Sequence, residues 1–214
     1  RFYQRREIQD VLAYLRLVSN PRDTTAFDRI VNYPRRGVGH TTHEHLVRWA
    51  LDENITLLEA ARRADEVPGI RTVGVRGLKR FADLIRRLSA RAAQVGIGEV
   101  LEELVEDIDL IRHLREEGPD GEDRVRNVTE LITGTLDFNP TLARSIELEE
   151  MGTFTELDLF LQDVALIADV DRLDPGSETV TLMTLHNAKG LEFGLVFIAG
   201  LEEGLFPLSR AYDE

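Results

Sequence analysis

Between residues 8 and 164 the apolar side chains of this chain recur three and four positions apart, and beyond residue 178 they run together instead. The first spacing lines side chains along one stripe of an α-helix, so most of the chain is bound to fold as amphipathic helices. Ile8, Val11, Leu12 and Leu15 make one stripe, and Leu78, Phe81, Ile85 and Leu88 a second with arginines around it. Val100, Leu101, Leu104, Val105 and Ile108 make a third, and Leu157, Phe160, Leu161 and Val164 a fourth. Pro21 requires the first helix to have ended before it. Gly118-Pro119-Asp120-Gly121 predicts a loop and Asn139-Pro140 a break. The sequence contains no internal repeat and no low-complexity tract.

The pattern changes after a linker that contains Pro175-Gly176. Val180-Thr181-Leu182-Met183-Thr184-Leu185 and Leu195-Val196-Phe197-Ile198-Ala199 are short runs of strand formers. Continuous apolar runs of that length predict strands buried on both faces of a parallel α/β sheet. The end of the chain is therefore expected to belong to a different architecture from its middle.

With 214 residues the chain can build one or two cores. The absence of cysteine excludes a disulfide framework and thiolate metal sites, and it suits a reducing cytoplasm. No apolar run approaches the roughly 20 residues of a membrane span. The first residues carry neither a signal-peptide pattern nor an initiator methionine, so an internal piece of a longer cytoplasmic chain is expected.

The net charge of −13 argues against nucleic-acid binding until its distribution is considered. Residues 1–50 hold nine arginines against five acids, and residues 62–91 nine basic residues against three acids. Residues 99–123 hold eleven acids and two arginines. Sorting of this kind allows one basic and one acidic face.

Thr184-Leu185-His186-Asn187-Ala188-Lys189-Gly190-Leu191-Glu192-Phe193 lies between the two expected strands. Ligands of open α/β sheets bind outside the carboxyl ends of strands, which places this stretch at a binding edge. Hydroxyl, imidazole, ammonium, glycine and carboxylate suit contact with a nucleotide or nucleic acid, though a solvated connection between strands would account for them nearly as well. Gly37-Val38-Gly39, preceded by Arg35 and Arg36, lets the backbone approach a phosphate at the helix expected to begin near Thr41. Gly96-Ile97-Gly98 has no flanking arginines and opens an acidic helix, so it is read as a turn. His40, His43 and His45 cannot share one helix face, which argues against a zinc site; no metal ligand is assigned. Trp49 is assigned to the core.

Residues 184–193, continuing through Val196-Phe197 to Gly200-Leu201-Glu202-Glu203-Gly204-Leu205-Phe206-Pro207, resemble motif V and its extension in UvrD/PcrA/Rep helicases of superfamily 1. Phe2-Tyr3-Gln4-Arg5-Arg6-Glu7-Ile8-Gln9-Asp10 resembles that family's block near motif IV, and Arg29-Ile30-Val31-Asn32-Tyr33-Pro34-Arg35-Arg36-Gly37-Val38-Gly39 the start of its 2B domain. The resemblance implies a mainly α fold, with a helical 2B domain inserted into a split, incomplete RecA-like domain. Residues 1–27 and 179–214 would be parts of that domain, 2A, and residues 28–178 would be 2B. It implies an ATP-dependent 3′-to-5′ DNA helicase of repair or replication as the full-length protein. This chain holds no Gly-x-x-x-x-Gly-Lys-Ser/Thr loop, no Asp-Glu magnesium motif and no motif VI arginine, so it is expected to be inactive alone.

The same resemblance implies site residues. Glu192 matches the glutamate that accepts from the ATP ribose, and Arg5 is grouped with it. His186, with Thr184 and Lys189, matches the single-strand contact. Arg35, Arg36, Gly37, Val38, Gly39 and Thr41 match the duplex grip, and Arg124 and Asn127 a second duplex contact. ATP and Mg2+ are implied for the full-length enzyme, with neither expected on this chain alone. Single-stranded and duplex DNA are the implied partners, DNA-repair proteins further ones, and no membrane. Two departures stand out: Gly194 replaces the usual proline, and Leu208 a polar residue that touches the strand. The alternatives are a regulatory or protein-docking module of the same helicase, with the acidic helices as its surface, and a helicase–nuclease subunit of the RecB/AddA type.

Overall fold

A computed structural model describes residues 2–136, 138, 154–170, 180, 183, 188 and 192–199, with backbone alone at 168–170. Contacts group the chain into two units, Arg1–Asp174 and Pro175–Glu214. In the first, a 3-10 turn (Phe2–Gln4) leads into α1 (Arg6–Ser19), α2 (Thr24–Ile30), α3 (His40–Asp52), α4 (Leu57–Arg62) and α5 (Thr72–Ala92). Then follow α6 (Ile97–Asp107), α7 (Leu110–Glu116), α8 (Gly121–Leu136) and α9 (Glu156–Val170).

The helix ends follow local chemistry. α1 stops at Ser19 because the following proline disfavours helical geometry at Asn20, which is extended. The Asp23 carboxylate caps α2 by accepting from the Ala26 N–H at 2.8 Å, and the Thr56 hydroxyl caps α4 through Glu59 at 3.1 Å. The α6 start is capped from far away: the Glu156 carboxylate, first residue of α9, accepts from the Ile97 N–H at 2.9 Å.

α1 is the central element, packed against α2, α5, α8 and α9. All four apolar stripes face the core, with Ile8, Leu12, Leu15, Leu78, Phe81, Leu88, Leu101 and Leu104 fully buried. Phe81 meets Tyr14 and Phe27 edge-on, at centroid distances of 6.2 and 5.5 Å. Burial of each such side chain stabilises by about 1.5–3 kcal/mol. Trp49 packs against this core half-buried, with the Arg63 guanidinium 4.8 Å from its ring centroid.

The described residues contain no β-strand, which corrects the strand expected at 195–199. Leu195, Val196, Phe197 and Ile198 are 75%, 60%, 85% and 48% exposed. A strand needs a neighbour to take its ladder hydrogen bonds, and none of the described residues supplies one. Most of the run at 180–185, the 171–177 linker, the Asn139-Pro140 break and Leu208 lie outside the described residues.

Candidate nucleic-acid interface

Residues 32–39 turn from α2 into α3 around one side chain, Asn32, whose amide oxygen accepts from the N–H groups of Arg36 at 2.8 Å and Val38 at 3.2 Å. The Tyr33–Pro34 peptide is cis. Arg36 points inward. Its guanidinium donates to the carbonyls of Ile30, Tyr33 and Pro34 at 3.0, 2.8 and 3.1 Å and to the Tyr14 hydroxyl. It also lies against the Tyr14 and Phe81 rings, 5.7 and 5.3 Å from their centroids. Val38 is buried as well. Two of the residues expected on the duplex therefore hold the loop together from within.

The outer side of the loop is formed by Arg35, Gly37, Gly39 and Thr41, all exposed. Gly37 has φ +78°, which favours glycine, and a Cβ there would come within 3.2 Å of the Val73 side chain, which would have to shift slightly. Gly39 is different. It is the N-cap of α3 with φ −83°, and a Cβ would meet nothing within 4 Å. Among the described residues no side chain caps α3, whose first N–H groups stand at the positive end of the helix dipole beside the exposed Gly39, His40 and Thr41.

α5 seats this loop through residues that sequence reasoning did not single out. A Cβ on Gly77 would lie 2.2 Å from the Arg36 carbonyl oxygen, and one on Gly74 would lie 3.0 Å from the Thr42 methyl. Two glycines at i, i+3 inside a 21-residue helix were the available signal, because each costs a helix interior about 1 kcal/mol and so calls for a packing reason. Next to Gly37, α5 exposes Val73, and Arg76 and Arg80 follow on the same face at i+3 and i+7. Arg35, Arg71, Arg76 and Arg80 have no ion-pair partner among the described residues. Other arginines of the basic blocks are paired: Arg87 with Asp107 at 2.7 Å and Arg91 with Glu103 at 2.6 Å. The expected separation into one basic and one acidic face is thus partly cancelled where α5 meets α6.

The three histidines turn to separate partners: His40 to Glu44 at 3.2 Å, His43 to Asp28 at 2.7 Å, and His45 to the Pro68 carbonyl at 2.9 Å.

The other candidates gather at the start of α1. Glu7, Asp10 and Tyr14 are polar groups buried along this helix, and each ties it to a different element. Tyr14 meets Arg36, and burial pushes its hydroxyl up to about 12. Asp10 accepts from Arg29 at 2.7 Å, while its second oxygen has no hydrogen-bond partner. Desolvation raises its pKa against the lowering pull of Arg29 and Arg6. Glu7 accepts from the Asn127 amide at 2.6 Å, and the amide oxygen of Asn127 accepts from Arg5. Arg124 pairs with Glu117 at 2.6 Å. Both α8 candidates for a duplex contact are therefore engaged within the protein. Glu192, in the second unit, is exposed. Thr184, His186 and Lys189 lie outside the described residues.

Fold and surface together define a mainly helical module with one basic, glycine-bearing edge. The family model of the UvrD-like helicase C-terminal domain matches residues 1–214. The chain is 39% identical over 221 residues to the ATP-dependent DNA helicase PcrA of Bacillus subtilis (strain 168), covering 100% of itself and 28% of that protein. It is 37% identical over 215 residues to DNA helicase II of Escherichia coli (strain K12), covering 100% and 29%. With PcrA of Leuconostoc citreum it shares 36% identity over 212 residues, covering 99% and 28%. The chain belongs to the UvrD-like helicase C-terminal domain family, and it spans less than a third of the length of these relatives.

Proposed function

We propose that this chain is the duplex-gripping and regulatory part of an ATP-dependent, 3′-to-5′ DNA helicase, a 2B-type helical domain with flanking pieces of a RecA-like domain. The observation that carries the reading is the edge at 35–41. There a 13-residue helix with no side-chain cap among the described residues, two glycines and Arg35 face solvent beside Arg71, the N-cap of α5, and Arg76 and Arg80 within it, none of them paired among the described residues. Helix-start N–H groups and arginines hold phosphates without reading bases, as a motor that must pass any sequence requires. Arg36 and Val38 support this edge from behind, and Arg124 has a paired, structural place.

Toward the nucleotide the chain offers Glu192, an exposed carboxylate able to accept from ribose hydroxyls, and Arg5, an exposed guanidinium able to donate to phosphate. Bound ATP and Mg2+ supply the hydrolysis that drives unwinding. With no phosphate loop in its sequence, this chain contributes only an edge of that site and is inactive alone. His186, Thr184 and Lys189 belong to the single-strand track in this reading. The protein would work in the cytoplasm on DNA, with repair factors as further partners.

The test is titration of the chain into fluorescent duplex–single-strand junction DNA at several salt concentrations. Dissociation constants of about 10⁻⁴ to 10⁻⁶ M at physiological salt are expected, weakening steeply as salt rises. Arg35→Ala should reduce the slope of log affinity against log salt by about 1. An absence of binding even at low salt would reject the grip and leave the docking role.

A further inference from the structure

We propose that Asn127 is a positioning residue for Arg5, holding the guanidinium in place for the nucleotide and tying it to helix α8, with Glu7 of α1 orienting the Asn127 amide. The proposal rests on the reading of Arg5 as a nucleotide contact and gives Asn127, for which the sequence resemblance implied a duplex contact, a part in it.

The chemistry of three side chains fixes the arrangement. Glu7 is 5% exposed and, as a carboxylate, can only accept; it takes the Asn127 Nδ2–H at 2.6 Å. That bond determines which end of the amide faces outward. The Asn127 Oδ1 is left to accept from Arg5 Nη1, and it does. Arg5 itself stands at the N-cap of α1 without a capping bond, its guanidinium 5.7 Å from the Phe2 ring centroid. Among the described residues no carboxylate pairs with it. A long, exposed arginine held only against a ring face would sample many rotamers, and each would have to be given up when a phosphate binds. One directed bond from Asn127 removes much of that freedom while occupying a single donor of the five, so the others remain available. The neighbouring cations of α8 do not share this geometry: Arg124 is paired with Glu117, and Arg126 with Asp123. Asn127 lies 122 positions from Arg5 in sequence, so any displacement of α8 relative to α1 is felt at the guanidinium.

The test uses the full-length protein and its DNA-stimulated ATPase. Asn127→Ala should raise the KM for ATP about fivefold, leaving duplex affinity unchanged, and Arg5→Ala should raise it more. The double variant should match Arg5→Ala alone, because one residue acts through the other. Asn127→Asp places a carboxylate against Glu7 and should be impaired. Asn127→Asp combined with Glu7→Gln reverses donor and acceptor, rebuilds both bonds at the same net charge, and should restore KM. A purely structural contact would not follow that pattern, and this pair carries the test if Asn127→Ala fails to fold. A normal KM in Asn127→Ala with a raised one in Arg5→Ala overturns the proposal alone, as would additive effects or a loss confined to duplex binding. A normal KM in Arg5→Ala removes the nucleotide reading of Arg5 and the proposal with it.

Discussion

Gly37 and Gly39 look interchangeable in the sequence and are not so in the structure. Alanine at Gly37 must adopt a left-handed backbone and press on Val73, which should cost about 1–2 kcal/mol of stability. Alanine at Gly39 enters open space at an ordinary φ. Gly39→Ala should therefore melt like the parent protein yet bind duplex DNA more weakly, whereas Gly37→Ala should lose both. Comparing thermal midpoints with DNA titrations separates the two; unchanged affinity in Gly39→Ala would mean that no phosphate approaches there. Asp10 supports a second prediction at this scale. Arg29, Arg6 and Glu117 are the charges around it, and burial outweighs the two arginines, so its folded pKa lies above the unfolded value. A raised folded pKa means that protonation favours the native state. The contribution is fully present below the unfolded value near 3.9 and is lost as pH rises through the folded one. Asp10→Asn should remove that dependence, so denaturant midpoints of the two proteins should differ between pH 4 and 7 by an amount that changes with pH. Parallel curves would contradict it.

At the scale of elements, α5 is both a core helix and the support of the 32–39 loop. Gly77→Ala would drive a methyl into the Arg36 carbonyl, with an expected cost of about 1–3 kcal/mol and a displaced loop. Hydrogen exchange of the Val38 and Gly39 amides should quicken in this variant while the far end of α5 stays protected. The stripes of α1, α5, α6 and α9 were legible because helical burial is periodic, and Pro21 fixed the end of α1 because its ring excludes continuation. The inward turn of Arg36 was not legible. Nothing in Pro-Arg-Arg-Gly distinguishes the arginine that faces water from the one surrounded by carbonyls and two aromatic rings, because those partners come from α1, α2 and α5. The partners of Asn127 were illegible for the same reason: they are more than a hundred positions away. The strand expected at 195–199 failed on a non-local requirement, since β-propensity specifies a strand only where another strand receives it.

Across the whole molecule, two stretches of nearly identical sequence, Gly37-Val38-Gly39 and Gly96-Ile97-Gly98, each precede or open a helix, and their fates differ. At the second, the carboxylate of Glu156 rests on the Ile97 N–H, and a Cβ on Gly96 would sit 3.0 Å from its oxygen. At the first, no side chain among the described residues takes that position. The molecule is thus its own ligand at the α6 start, whereas the α3 start has no such carboxylate among the described residues. A built-in carboxylate of this kind acts as a permanently bound competitor. If the 35–41 edge holds phosphate as proposed, that carboxylate leaves it a single helix start in a protein whose glycine pattern would otherwise offer two.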